Sequence, residues 1–317
     1  MKTADYNNPP ENMRDYFWKE VYLEAVRDTR IVVVTADMGA PALDVFKKQF
    51  PHRYINTGIA EQQAILTACG LAREGFIPFV YAIMPFITYR CYEQIKTVAG
   101  LMNIPINIVG VGSGFSYEES GPTHHSLEDI GIMAVVPHMT VLNCSSPAMA
   151  KQVGAHAVHH RDKLKYIRLD RQPMINPTSG VHDRITPEQF RDGFIVHRNV
   201  GGNGKVVVTT GNMIHTVIHN NDRLAVSAGI IEVFRFPYNP NALFGELSGV
   251  KDLYILEEHN GLNGLGSLVS HTVQGTGIKV HNRDINTHQG YTYIYGGREE
   301  IHRHYRMTRG DIDQWLQ

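Results

Sequence analysis

The feature that most constrains this chain is a repeated pairing: a short run of mostly apolar, β-branched residues followed by a stretch with helical spacing. IVVVTAD (31–37), FIPFVYAI (76–83), INIVGVG (106–112), MTVLNCS (139–145) and KYIRLD (165–170) place apolar side chains at odd and even positions alike. A strand of that kind has no wet face, so it must be covered on both sides. Helical patterns over 12–28, 60–74, 86–102 and 147–160 supply the cover. The alternation predicts a parallel sheet wrapped by helices. Proline, glycine and polar residues then thicken across QPMINPTSGVHDRITPEQ (172–189), a linker signature. A second alternation follows in KVVVTTG (205–211), a helix from about Asn212, LAVSAGIIEVF (224–234), LYILEEH (253–259) and a helix through GLGSLVSHTV. With 317 residues the chain exceeds what one core usually serves. The expected fold is α/β with two doubly wound domains, residues 1–180 and 181–317.

Composition narrows the function. A net charge of −1 leaves no basic footprint, so nucleic acid is not an expected partner. No apolar stretch reaches membrane-spanning length, and MKTADYNNPPENMRDYF lacks the apolar core of a leader. Cys69, Cys91 and Cys144 form no CxxC pair, which fits a reducing compartment. The expected location is cytoplasmic. Seventeen histidines include His215 and His219 in MIHTVIHNN, HHRD (159–162) and HRHYR (302–306). No acid or cysteine accompanies these three groups at a ligand spacing, so they read as solvated or capping histidines, and no metal ligand is assigned to the chain.

Sheets of this type bind ligands at the carboxyl ends of their strands. Several residues of interest fall there. Glu61, in NTGIAEQQ (56–63), opens the helix after a short strand, where a carboxylate is favoured by the free N–H groups and the dipole. In PFITYRCYEQI, Phe86, Tyr89 and Tyr92 recur every third residue, a pattern that suits a core face or a platform for a flat ring. GPTHHSLED (121–129) turns on Gly-Pro and sets His124 beside His125; a strand-end histidine can shuttle protons, though most loop histidines are solvated. Arg171 in LDRQP, joined by Arg14, suits a phosphate or carboxylate, or a salt bridge to Asp170 or elsewhere.

The order and spacing of RYINTGIAEQQAILTACGLAREGF, PF-x-x-Y-x-x-YEQI, GPTHHSLEDI and IRLDRQP resemble the transketolase family of thiamine-diphosphate enzymes, and also the 1-deoxyxylulose-5-phosphate synthases. The likeness covers essentially the whole chain. Residues 1 to about 180 resemble the pyrimidine-binding domain, and TTGNMIHTVI with EEHNGLNGLGSLV resembles the family's C-terminal domain. The resemblance implies that Glu61 hydrogen-bonds N1′ of the aminopyrimidine and favours its 4′-imino tautomer, which deprotonates C2 of the thiazolium. Phe86, Tyr89 and Tyr92 would wall the pyrimidine, Ile59 would support the bent cofactor, and Asp37 would lie near it across a dimer interface. His124 would act on substrate hydroxyls, while Arg14 and Arg171 would take a distal anionic group.

Two departures matter. The family's diphosphate-binding half carries a GDG motif and a following asparagine that hold Mg²⁺ and diphosphate. No GDG occurs here; RGDIDQ (309–314) lacks the second glycine, and the chain opens almost at once on the pyrimidine domain. The resemblance is therefore to the C-terminal subunit of a split transketolase. It implies a separate N-terminal subunit bringing Mg²⁺ and the diphosphate site, two of each chain forming a heterotetramer. Sugar-phosphate transketolases also place an aspartate where Ser120 stands, a histidine at the place of Gly112 and a serine at that of Pro41. Fewer polar readers imply a non-standard ketose or aldehyde: branched, deoxy, amino or sulfonated. Three rivals stand beside this reading. A 2-oxo acid dehydrogenase β subunit usually has a different His-Ser loop in place of GPTHHSLED. A pyruvate-using synthase would need an arginine near Ser113. A regulatory paralogue that has lost the chemistry would not need Glu61 or the aromatic wall.

Overall fold

The computed structural model describes residues 12–174, 176–177, 180–218, 228–286 and 290–317. The chain forms two compact units: residues 1–113 with 132–176, and residues 114–131 with 177–317. The segment 114–131, with its GPTHH turn, thus groups with the second unit. Among the described residues no helix is long and apolar enough to cross a membrane.

In the first unit, β1 (Ile31–Thr35), β2 (Tyr54–Asn56), β3 (Ile77–Ile83), β4 (Asn107–Val111), β5 (Met139–Asn143) and β6 (Leu164–Leu169) lie in the order β5-β6-β4-β3-β1-β2, every pair parallel. Every residue of β1, β4 and β6 is buried, as mainly apolar runs require, and the polar exceptions Asn107, Lys165 and Arg168 are hydrogen-bonded. Helices Met13–Arg27 and Pro147–His159 pack together, and a Cβ at Gly154 would press on the Phe17 carbonyl. Phe17, Trp18, Phe79 and Tyr81 meet edge to face beneath the first of them. The chain steps from β1 out to β2, then returns to β3 on the other flank of β1. That reversal makes a crevice at the carboxyl ends of β1 and β3.

One helical expectation fails in an informative way. Residues 86–102 form no single helix but a helix Met84–Thr88, a turn Tyr92–Gln94 and a π-helical turn Ile95–Gly100. Thr88 Oγ1 bonds back to the Met84 carbonyl at 2.7 Å, and Cys91 leaves helical geometry at φ −100°, ψ 6°. Phe86, Tyr89 and Tyr92 therefore do not share one regular helical face.

Lys165 on β6 is 1% exposed, its Nζ donating to Asn107 Oδ1 (3.2 Å) and the Lys163 carbonyl (3.0 Å). Burial pushes its ammonium down to about 7, with Asp162 opposing and Lys163 adding to the shift. Between about pH 7 and 10 the unfolded chain binds more protons at this residue, so its penalty fades and stability rises with pH. Lys165→Met is expected to be more stable near pH 7, with the gain shrinking toward pH 10. Parallel pH profiles of wild-type and variant melts would disprove this.

In the second unit, β7 (Phe194–Arg198), β8 (Lys205–Thr209), β9 (Gly229–Val233), β11 (Asp252–Leu256) and β12 (Lys279–Arg283) run in the order β12-β11-β8-β9-β7; β10 is the two-residue strand Arg235–Phe236. All pairs in this order are parallel except β7 with β9, which is antiparallel and bulged between Val196 and Arg198. Edge strands β7 and β12 carry His, Arg, Lys and Asn, so no apolar run announces them. Helices Met213–Val217 and Leu265–Thr272 fall where the sequence places them. Residues 224–227 of the LAVSAGIIEVF segment lie outside the described residues, as does His219.

Candidate active site

The crevice of the first unit is built from three turns. After β1 the chain enters the left-handed region at Asp37 (φ 53°). After β2, Asn56 joins this turn to the next: its Oδ1 accepts from the N–H groups of Asp37 and Gly58, each at 2.9 Å, and its Nδ2 donates to Asp37 Oδ1 at 3.2 Å. Asn56 thus fixes Asp37 beside the strand that leads into Glu61.

Glu61 is the first residue of helix Glu61–Arg73, whose N-cap, Ala60, offers no side-chain cap. Its carboxylate is nonetheless 3% exposed, and Oε2 accepts from Arg90 Nη1 at 2.7 Å. Arg90 also lays its guanidinium over the Phe86 ring, 4.8 Å from the centroid. Its own carbonyl accepts from Gln62 Nε2 at 3.1 Å. Cys91 lies beside the pair; burial, and then the Glu61 charge, push its thiol up to about 12, too high for a thiolate nucleophile. On the same two segments of chain, Ile59 is 80% and Tyr89 36% exposed, and Phe86 and Tyr92 are partly buried. A buried carboxylate with partly open apolar side chains on the neighbouring turns would suit a flat, nitrogen-bearing ring, taking both the hydrogen bond and the stacking.

Arg90 was not legible as a site residue, although it stands inside the quoted FITYRCYEQ run. Its side chain is 48% exposed, so the pair is only half desolvated. Arg90→Ala is expected to cost about 1–2 kcal/mol by leaving a buried carboxylate without its cation. Glu61→Ala should cost less, since the arginine can turn to water. The double variant should recover most of the Arg90→Ala loss in urea melts; strictly additive losses would mean that the pair is uncoupled.

Arg14 lies near the start of helix Met13–Arg27, 3.5 Å from Asp15. Burial pushes its guanidinium down, and Tyr81 with Asp15 more than offsets this, so it stays charged. Arg171 is exposed after β6, with its carbonyl accepting from Asn12 Nδ2 at 2.9 Å. The Asp170 carboxylate accepts from Ser113 Oγ (3.1 Å) and the Gln172 N–H (2.9 Å).

Ser120 and His124 belong to the second unit. Gly114 and Ser126 exchange two backbone hydrogen bonds, of 3.2 and 3.0 Å, and close the base of the loop between them. Ser120 is exposed. His124 is partly buried, bonded through Nδ1 to Thr123 Oγ1 at 3.0 Å and tilted against Tyr117; burial lowers its pKa. His125 is 4% exposed and edge-on to Phe115. Burial pushes it down to about 4, with Glu258 opposing and His124 adding to the shift. Of the two, His124 is the one open to a ligand. The loop's anchor, Glu258, accepts from the Phe115 N–H (3.1 Å) and Arg298 Nε (2.8 Å) and also binds His302. Burial alone would raise its pKa, but Arg298 and His302 outweigh that and hold it well below the usual carboxylate range. His302, read from the sequence as solvated or capping, is instead 8% exposed in this cluster.

Two α/β units with parallel-dominated sheets, the first carrying a buried acid at its reversal point, define a protein of the cofactor-binding α/β class. The family model for the transketolase pyrimidine-binding domain matches residues 10–175, more than half of the chain, and the chain belongs to that thiamine-diphosphate-dependent family. It is 29% identical over 299 residues to the B subunit of an apulose-4-phosphate transketolase from Actinobacillus succinogenes, covering 92% of this chain and 94% of that one. It is 28% identical to SqwH, a 6-deoxy-6-sulfo-D-fructose transketolase subunit from a Clostridium species, covering 82% of each. A solved split gene transketolase, described as an inactive beta4 tetramer, matches with TM-score 0.80 over 96% of this chain and 97% of that one. At 24% identity this last likeness speaks for the fold.

Proposed function

We propose that this chain is the pyrimidine-binding, C-terminal subunit of a two-chain transketolase that moves a two-carbon ketol unit from a ketose to an aldehyde. The observation that carries the reading is Glu61, a carboxylate buried at the strand-end crevice among exposed apolar side chains. When bound, thiamine diphosphate supplies the nucleophilic thiazolium carbon and the electron sink for carbon–carbon cleavage. Glu61 holds the proton at N1′. Phe86, Tyr89 and Tyr92 would orient the ring and exclude water, and Ile59 and Asp37 would hold it from the neighbouring turns. Arg90, already stacked on Phe86 and paired with Glu61, sets the charge that the ring meets. His124, whose pKa burial lowers, would accept a proton from a substrate hydroxyl. Arg14 and Arg171 take the anionic end of the sugar, and Ser120 reads a hydroxyl less strictly than an aspartate would.

The partner would be an N-terminal transketolase subunit with GDG and its asparagine, bringing Mg²⁺ and the diphosphate site in a cytoplasmic heterotetramer of two chains of each kind. A non-standard sugar is supported by the departures at Ser120, Gly112 and Pro41 and by relatives named for apulose 4-phosphate and 6-deoxy-6-sulfofructose. Co-expression with such a partner should give ketol transfer dependent on thiamine diphosphate and Mg²⁺, faster with those two donors than with xylulose 5-phosphate. Turnover by this chain alone would sink the two-chain reading. Preference for xylulose 5-phosphate would sink the substrate reading.

A further inference from the structure

The second unit holds another cluster of chemistry-bearing side chains, brought together from three places. His182 comes from the turn Gly180–Asp183, His197 from β7 and Glu232 from β9. Ile195 pairs with Glu232 and Val196 with Ile231, but Ile230 pairs with Arg198, leaving His197 as the extra residue of the bulge. Bulges re-aim side chains, and this one turns an edge-strand imidazole onto the neighbouring carboxylate. Each imidazole Nε2 lies 2.8 Å from the same oxygen, Glu232 Oε2. The three ligand atoms all lie within 4.8 Å of one another, on side chains 1%, 3% and 0% exposed.

Hydrogen bonding alone serves this cluster poorly. Both imidazoles converge on the single oxygen Oε2, while Glu232 Oε1 and His197 Nδ1 are buried with no partner. We propose that His182, His197 and Glu232 form a binding site for a divalent cation of the zinc type. Two imidazoles and a carboxylate, with no thiolate, suit that borderline ion better than Mg²⁺ or Ca²⁺, which favour oxygen ligands. Tetrahedral bonds of about 2.1 Å set neighbouring ligand atoms roughly 3.4 Å apart, so each imidazole retreats from Oε2 by about 0.6 Å. Glu232 Oε1 then gains a partner, either as a second ligand atom or on a bound water. The ion would tie the turn at His182 to β7 and β9, holding the 180–183 segment on its sheet.

The test uses the full, tag-free chain, loaded with stoichiometric Zn²⁺ and desalted. Elemental analysis should find about one zinc per chain, and a chelator should lower the melting temperature. Co²⁺ in place of Zn²⁺ should give the visible absorption of a low-symmetry nitrogen–oxygen site. Glu232→Gln and His197→Gln should lose both the metal and the chelator effect. A wild-type chain that keeps no zinc, or a folded Glu232→Gln chain that keeps as much as wild type, would overturn the assignment. The wild-type metal content and cobalt spectrum decide it even if a variant fails to fold.

Discussion

Glu61→Ala, assayed with its partner subunit, should turn over about 10³-fold more slowly than wild type while melting within a few degrees of it. The two halves of this expectation have separate origins. The carboxylate is buried at 3% exposure, yet its ionic partner Arg90 is half exposed and can turn to water when the acid is removed. Little fold stability is therefore lost. On the role proposed for Glu61, activity falls because its place at N1′ is left empty; Asp37, the other acid at these strand ends, is bonded to Asn56. A variant within a few-fold of wild-type turnover would return Glu61 to an ordinary helix-start acid.

Gly114→Ala should cost about 3 kcal/mol or more and lower the melting temperature by roughly 10 °C. Gly114 sits at φ 56°, and an added Cβ would overlap the Glu258 carboxylate. That carboxylate has nowhere to retreat, because the Phe115 N–H, Arg298 and His302 hold it. Gly202→Ala, where a Cβ meets nothing within 4 Å, is the control and should change stability by about 0.5 kcal/mol or less. Equal melts for the two variants would show that the loop base yields more readily than its hydrogen bonds imply.

What could be read beforehand followed from local chemistry. Mostly apolar, β-branched runs located β1, β3, β4, β5 and β6 to within two residues, because a strand buried on both faces is mainly apolar; β6 keeps its buried Lys165 and Arg168 by pairing them with Asn107 and Asn143. Strand-end turns were legible for the same reason, and with them the stretches holding Glu61 and His124. The rest depended on distance in sequence. Arg90 meets Glu61 across 29 residues, and Glu258 anchors a loop 143 residues before it. Nothing in their neighbours marks either pairing. Edge strands β7 and β12 are polar because one flank is open, so they carry no run to find. His197 was hidden twice, by its edge strand and by a bulge that only the pairing of β7 with β9 reveals.

The two hydrogen bonds between Gly114 and Ser126 have an evolutionary consequence. They fasten the ends of the loop to each other, with Phe115 and His125 buried just inside them, so changes in the more open stretch 117–124 need not disturb that base. The tip of the loop can vary while its base is kept. Relatives acting on different sugars can then diverge between these two residues while the crevice that holds Glu61 stays as it is.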